Sequence, residues 1–340
     1  MNNIELIQKA MDKFDLSYKE MEYLFNNVVN GDMDEICLSS LLTALKMKGE
    51  TPNEIAGAAA ALSSNALHFP IPNYPTADNC GTGGDGTHTI NISTICAILS
   101  AACGVKMAKH GNRKVSSKSG SADVLSELGI KLDMSAEHAR KCLDETGLTF
   151  LMAPVYHSGI RHAMPVRQTL ATRTIFNILG PLVNPAKSEI KVIGVYSPEL
   201  CRPVIETLKL LGKKSAWVVH GSGMDEIALH GPTKVVELKD GKISEFEITP
   251  EQFGFAKYQL EQLRGGTPQE NAANIRQVLA GDGEEAHNVA VVLNTAPILY
   301  LYGLTESFEA AIKLAEDVLA SGEGLKTLNR FVSMSQQEDK

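Results

Sequence analysis

Asp78-Asn79-Cys80-Gly81-Thr82-Gly83-Gly84-Asp85-Gly86-Thr87-His88-Thr89-Ile90-Asn91-Ile92-Ser93-Thr94 decides how the chain is read. Four glycines in the six positions 81–86 let the backbone adopt positive φ and turn successive N–H groups toward one anion. Hydroxyl side chains follow, and then an apolar run that reads as a helix over about 91–103, so the segment is a phosphate cradle at a helix start. Between Gly86 and Ala122 there is no Asp or Glu, whereas Lys106, Lys109, Arg113, Lys114 and Lys118 all fall there. The plainer reading is a glycine-rich turn before a solvated basic face; a cationic stretch joined to a glycine loop points instead to a bound diphosphate.

The loop also spells GxGxxG, the dinucleotide fingerprint. That fingerprint needs an acidic residue about 20 positions on to take the ribose hydroxyls, and Lys106 and Lys109 occupy that region. The Lys-Ser/Thr of a Walker loop is missing as well.

Working outward, Lys109-His110-Gly111-Asn112-Arg113 ends an apolar strand candidate, where α/β sheets bind ligands. Lys114-Val115 and Ser116-Ser117-Lys118-Ser119-Gly120-Ser121 continue it as a second anion cradle at a helix start. Further on, His220-Gly221-Ser222-Gly223-Met224-Asp225-Glu226 follows the strand Ala216–Val219. Adjacent carboxylates after a glycine turn suit Mg²⁺, which takes few protein oxygens beside phosphate and water; alone, the pair would be a solvated acidic turn.

The expected fold class is α/β: a large domain with a mostly parallel central sheet covered by helices, plus a small all-helical domain. Strand candidates lie near 105–109, 148–152, 190–196 and 215–220, alternating with helical runs near 121–128, 135–146 and 198–212. A hairpin is expected at 233–248 around Asp240-Gly241, and helices near 268–280, 284–301, 307–320 and 324–332. Before the loop, Ile4, Ile7, Met11 and Phe14 share helical spacing. Ser17 with Glu20 forms a capping box, Gly31 stops that helix, a third runs over 34–48, and Thr51-Pro52-Asn53-Glu54 opens a fourth. Phe69–Pro75, with three prolines in six residues, is an extended linker.

At 340 residues, 44% hydrophobic and 21% charged, the chain has the composition of a globular protein. A net charge of −8 argues against a nucleic-acid or membrane-surface binder, and no run approaches the ~18 apolar residues of a membrane span. The six cysteines, at 37, 80, 96, 103, 142 and 201, have no metal-ligand spacing and fit reduced thiols in a cytoplasmic protein.

GTGGDGTHTINIST, KHGNRKVSSKSGSADVLSELGI, FLMAPVYHSGIRHAMPVRQTLATRTIFNILGPLVNPA and HGSGMDEI, in this order, resemble the anthranilate phosphoribosyltransferases, and the layout is similar over essentially the whole chain. The related pyrimidine nucleoside phosphorylases carry Lys-His-Ser-Thr-Gly-Gly where this chain has Asn79-Cys80-Gly81-Thr82-Gly83-Gly84. A phosphorolytic enzyme needing no metal, and a non-catalytic phosphoribosyl sensor, are the alternatives. The resemblance implies transfer of the 5-phosphoribosyl group from phosphoribosyl pyrophosphate to the amine of anthranilate, with Mg²⁺. It places the donor at Gly81, Gly84, Asp85, Thr89, Asn91, Ile92, Ser93 and Thr94, and at Lys109, His110, Gly111, Asn112, Arg113, Lys114, Val115, Ser116, Ser117 and Ser121. Anthranilate would meet Gly81, Asn112 and Arg167, the metal Ser93, Asp225 and Glu226. Lys109, His110 and Arg167 would serve the chemistry, His110 as a packed wall or as a proton acceptor. His157 and His162 would line the pocket or cap helices.

The resemblance further implies that 1–68 with roughly 165–183 form the helical, dimerising domain, and 69–164 with 184–340 the α/β domain, the active site lying between them. Differences from the family pattern fall at Ser158-Gly159, at Ala171-Thr172, and before the glycine loop, where Pro75–Cys80 lacks an apolar strand.

Overall fold

A computed structural model describes residues 1–113 and 119–337. The chain opens with α1 (Asn3–Met11), α2 (Tyr18–Asn30), α3 (Glu35–Lys48) and α4 (Pro52–Ser64). Both expected capping boxes form, Ser17 with Glu20 and Thr51 with Glu54, and α2 ends on Gly31 at φ 80°. Glu54 is fully buried because it is fully used: it accepts the N–H groups of Leu16 (2.8 Å) and Thr51 (2.8 Å) and pairs with Lys48 at 2.9 Å. The expected first helix is shorter than its apolar spacing suggests. It stops at Met11, buries Ile7, and leaves Ile4, Met11 and Phe14 exposed.

Then come β1 (Ala77–Gly81), α5 (Ile92–Ala102), β2 (Met107–Gly111), α6 (Ser121–Glu127), α7 (Ala136–Thr146), β3 (Leu148–Met152) and the short α8 (Ala153–Tyr156). A 3₁₀ turn over Ser158–Ala163 leads to α9 (Met164–Leu170) and α10 (Phe176–Leu179). Next are β4 (Ile190–Gly194), α11 (Cys201–Leu210), β5 (Ser215–Gly221), β6 (Thr233–Lys239) and β7 (Lys242–Ile248), and the chain closes with α12 (Pro268–Leu279), α13 (Glu285–Tyr302), α14 (Phe308–Ala320) and α15 (Glu323–Ser335). The strands make one seven-stranded sheet in the order β3-β2-β1-β4-β5-β6-β7. The first five are parallel, and the β6–β7 hairpin closes one edge antiparallel. Strand order reverses direction beside β1, which puts a ligand crevice at the carboxyl ends of β1, β2 and β4.

The strand that sequence patterning omits is thus the middle one of the five parallel strands. β1 carries Asp78 and Asn79 instead of an apolar run, and the sheet compensates them. Asp78 faces Lys191 of β4 in register, and their charged atoms meet at 2.7 Å with both side chains about 1% exposed or less. The second Asp78 oxygen accepts the His110 N–H at 3.1 Å. Burial pushes the Asp78 carboxyl up, but the Lys191 ammonium and the surrounding hydrogen bonds hold it below the ordinary range.

Two apolar clusters fill the interior. The larger lies between β1–β3 and α5–α7 and α12–α15, and includes the lone tryptophan, Trp217, whose indole N–H donates to Glu237 at 2.9 Å amid Phe246, Tyr300 and Phe308. The other joins α1–α4, Ala163, Val166 and residues from Ile175 to Val183 to α11 and to Ile193, Val195, Ala216 and Val218. The first four helices therefore share a core with the sheet.

Helix α9 ends on Ala171 at φ 46° and ψ 33°, its N–H bonded to the Arg167 carbonyl at 3.2 Å. A Cβ is costly in this left-handed conformation. Ala171→Gly should stabilise the protein by about 1 kcal/mol, measured by urea unfolding; an unchanged or lower midpoint would show the turn to be unstrained.

Candidate active site

The glycine loop leaves β1 with Gly83, Gly84 and Gly86 at φ 66°, 76° and 81°. Asp85 folds back on the loop, accepting the Thr87 N–H (3.1 Å) and hydroxyl (2.7 Å). Helix α5 starts without a side-chain cap, because Asn91 is engaged elsewhere: its amide donates to the Ser119 carbonyl (3.2 Å) and accepts from Asn271 (2.8 Å). Ile92 and Thr94 are each about 1% exposed, with their N–H groups bonded to Ile90 and Asn91 carbonyls, so they form the floor under the loop. Thr89 and Ser93 remain partly exposed above it.

The acidic turn arrives from β5. Gly221 and Met224 exchange backbone hydrogen bonds at 3.0 and 3.1 Å, with Ser222 at φ 47° and Gly223 at φ 100°. Asp225 then crosses the ends of β1 and β4 so closely that a Cβ on Gly81 would overlap its carboxylate, and one on Gly194 its backbone. Asp225 accepts the Gly83 N–H at 2.7 Å, and its own N–H donates to Asp85 at 3.4 Å. The loop and the turn, 140 residues apart, are one unit.

Burial, reinforced by the neighbouring Asp85 charge, pushes the Asp225 carboxyl up to about 7. Burial and then Asp225 raise Glu226 well above the usual range, opposed in part by Lys109. Burial and mutual repulsion thus hold Asp225 and Glu226 toward their protonated forms, a bias that a bound cation would reverse. The donor set of carboxylate and hydroxyl oxygens is hard and fits Mg²⁺. Among the described residues no trio of His, Cys, Asp or Glu forms a cage.

Lys109 is buried under the loop, its ammonium donating to the Asn79 carbonyl (2.8 Å) and the Ser93 hydroxyl (3.3 Å). His110 beside it contacts Gly180 O through Nδ1 (3.2 Å), the geometry of an Nδ1–H donor, and meets the His157 ring at 5.3 Å. Burial, then the His157 neighbour, pushes its pKa down to about 3, so it is neutral at physiological pH. His157 is likewise lowered by burial and contacts Val183 O at 2.8 Å; it is a wall residue. His162 instead sits over the C-terminus of α2, where a Cβ on Gly31 would lie 3.0 Å from its ring.

The second anion cradle is only partly described. Gly111 ends β2, the Asn112 carbonyl accepts from Ser121 Oγ (3.2 Å) and Ala122 N (3.1 Å), and Arg113 pairs with Asp123 at 3.3 Å. Lys114, Val115, Ser116, Ser117 and Lys118 lie outside the described residues.

Arg167 belongs to the helical side. It projects from α9, stacks 4.9 Å over Phe176, and touches Met164 Sδ at 3.9 Å. Burial lowers its pKa, and among the described residues no carboxylate pairs with it. Sequence reasoning passed over Arg173, which donates to the Gly84 carbonyl and lies 4.0 Å over the Tyr196 ring. Its only signal was a cation shortly after α9.

An anion loop at the switch point of a parallel sheet, faced by paired acids and a helical bundle, defines a glycosyl-transferring enzyme. Residues 73–325 match the glycosyl transferase family, a/b domain, and residues 4–66 the helical bundle domain of that family. The anthranilate phosphoribosyltransferase of Aeromonas salmonicida is 54% identical over 323 residues, 95% of this chain and 96% of that one. The crystal structure of the Thermus thermophilus enzyme of the same name superposes with a TM-score of 0.93 at 40% identity, covering 97% of this chain and 99% of that one. The Saccharomyces cerevisiae enzyme in complex with PRPP and Mg gives 0.89 at 27% identity, covering 98% and 97%. The chain belongs to the anthranilate phosphoribosyltransferase family.

Proposed function

We propose that this chain transfers the 5-phosphoribosyl group of phosphoribosyl pyrophosphate to the amine of anthranilate: the anomeric C–O bond to pyrophosphate breaks, a C–N bond forms, and the amine's proton passes to the departing pyrophosphate or to solvent. The observation that carries this reading is the junction of the left-handed glycine loop with the Asp225-Glu226 turn through the Gly83 N–H. Charge develops on the leaving diphosphate as the bond breaks, and loop N–H groups left free by these internal bonds would stabilise the transition state more than the ground state. Ser93, Asp225 and Glu226, with Asp85 close by, would hold Mg²⁺, which supplies charge neutralisation at the diphosphate when bound. Lys109 adds a fixed buried cation beneath the loop.

The acceptor needs a carboxylate clamp and an in-line approach. Arg167, stacked on Phe176 and without a carboxylate partner among the described residues, is that clamp, with Gly81 and Asn112 opposite. His110 is a neutral wall, since a base with so low a pKa is a poor proton acceptor at neutral pH.

Residues 1–68 with about 165–183 are the helical lobe, and the cleft between it and the α/β remainder holds both substrates. Exposed Ile4, Met11, Phe14, Ile36 and Met47 on the first helices and their flanks are the surface for a second copy, giving a homodimer. Among the described residues no helix is long and apolar enough to cross a membrane. The cytoplasm is the compartment in which both substrates and six free thiols fit.

The test is to mix the protein with phosphoribosyl pyrophosphate, Mg²⁺ and anthranilate and follow anthranilate fluorescence. Mg²⁺-dependent decay is expected, and its absence removes the reading. Arg167→Ala should raise the anthranilate KM about 10–100-fold while changing the donor KM little. Equal rises in both would take the clamp role from Arg167.

A further inference from the structure

We propose that Arg173 is a positioning residue for the donor loop, holding the Gly84 peptide so that the N–H that follows it faces the diphosphate. The inference rests on the donor reading given above. Arg173 follows α9 on the length of chain returning from the helical lobe, and its guanidinium is caught between the glycine loop and Tyr196. One nitrogen donates to the Gly84 carbonyl. Its guanidinium carbon, Cζ, lies 4.0 Å from the Tyr196 ring centre.

Tyr196 belongs to the same unit, because its N–H donates to the Thr82 hydroxyl at 3.1 Å while the Thr82 N–H donates to Gly194 O at 2.9 Å. Arg173 packs directly on Gly84: a Cβ there would lie in ordinary contact, 3.7 Å from Arg173 Nε and Nη2, and it is the φ of 76° that calls for glycine. On the other side, Thr172 accepts a hydrogen bond from Lys46 of α3. The segment after α9 is therefore fastened to the helical lobe by Thr172 and to the donor loop by Arg173.

A trans peptide points its C=O and the following N–H in opposite directions. Fixing the Gly84 carbonyl on Arg173 turns the Asp85 N–H away from it. With Gly83, Gly84 and Gly86 all at positive φ, this loop has glycine freedom at each of those positions and needs an external hold to keep one orientation. Among the described residues no carboxylate neutralises Arg173, so its charge also stands beside the cradle. Lysine would keep that charge but lose the guanidinium's broad contact with the Tyr196 ring and its fork of donors.

Arg173→Ala should raise the donor KM about tenfold, the loss of one charge-assisted hydrogen bond, with the anthranilate KM changed less than about twofold. Tyr196→Ala should reproduce the effect, Tyr196→Phe should not, and the double Ala variant should be no worse than the stronger single one, because the residues act as a unit. Arg173→Lys should recover less than half of the loss. Hydrogen exchange of the unliganded protein should be several-fold faster in the peptide 82–87 of Arg173→Ala, with the melting temperature little changed. Full rescue by lysine, additive Arg173 and Tyr196 effects, unchanged loop exchange, or an effect confined to the anthranilate KM would each overturn the proposal. Failure of the wild type to consume anthranilate would instead remove the enzymatic reading, and loop exchange would still report on Arg173.

Discussion

Lys191→Ala is expected to destabilise the protein by about 3–5 kcal/mol, because it leaves Asp78 charged, buried and without its cation in the middle of the sheet. The loss extends beyond one contact. Lys191 also donates to the Pro181 carbonyl at 3.1 Å, so the segment that returns from the helical lobe loosens with it. Combining Asp78→Asn with Lys191→Met should recover most of the stability, since the amide can still accept the His110 N–H and no charge remains to be compensated. Urea unfolding of the two variants decides it: a single variant as stable as the parent, or a double variant no better than the single, would show that the pair is not the anchor of β1.

The second large effect belongs to Asp225→Asn with Glu226→Gln. Turnover at fixed Mg²⁺ should fall by about 10²–10³-fold, the range seen when transition-state charge loses its stabiliser, and the Mg²⁺ optimum should shift upward. An unchanged optimum would put the ion elsewhere. The raised Asp225 carboxyl sets the pH dependence. Its pKa moves from 3.8 to about 7 on folding, so metal-free protein binds this proton more tightly folded than unfolded. The carboxyl therefore costs nothing below the unfolded value, and its penalty accrues as pH rises from about 4 to 7. Without Mg²⁺ the parent should lose stability over that window and the variant should lose less. With Mg²⁺, the metal displaces the proton, and apparent Mg²⁺ affinity should fall as pH drops below about 7.

Much of the candidate site stands out in the sequence because phosphate chemistry is written locally. Gly81 through Gly86, Lys109 and the Asp225-Glu226 pair each stand out within a few residues, and the sheet then brings them together. The hairpin at Asp240-Gly241 and the capping boxes at Ser17 and Thr51 were equally local. β1 was not legible, because hydropathy registers Asp78 as a surface residue while the partner that buries it lies 113 positions away. Arg173 escaped for the same reason: its carbonyl partner is 89 residues distant, and no side-chain type at Gly84 hints at the contact. At the first helix the apolar spacing through Phe14 holds only in part: of its four residues Ile7 enters the core, and Ile4, Met11 and Phe14 face outward.

Trp217 lies in the larger of the two apolar clusters, and the chain has no second indole. Its emission therefore reports the α/β interior directly and the helical bundle only through the sheet, whereas circular dichroism sums over both. A protein so built separates its own melting signals: any gap between the two optical transitions measures how tightly the bundle and the sheet unfold together.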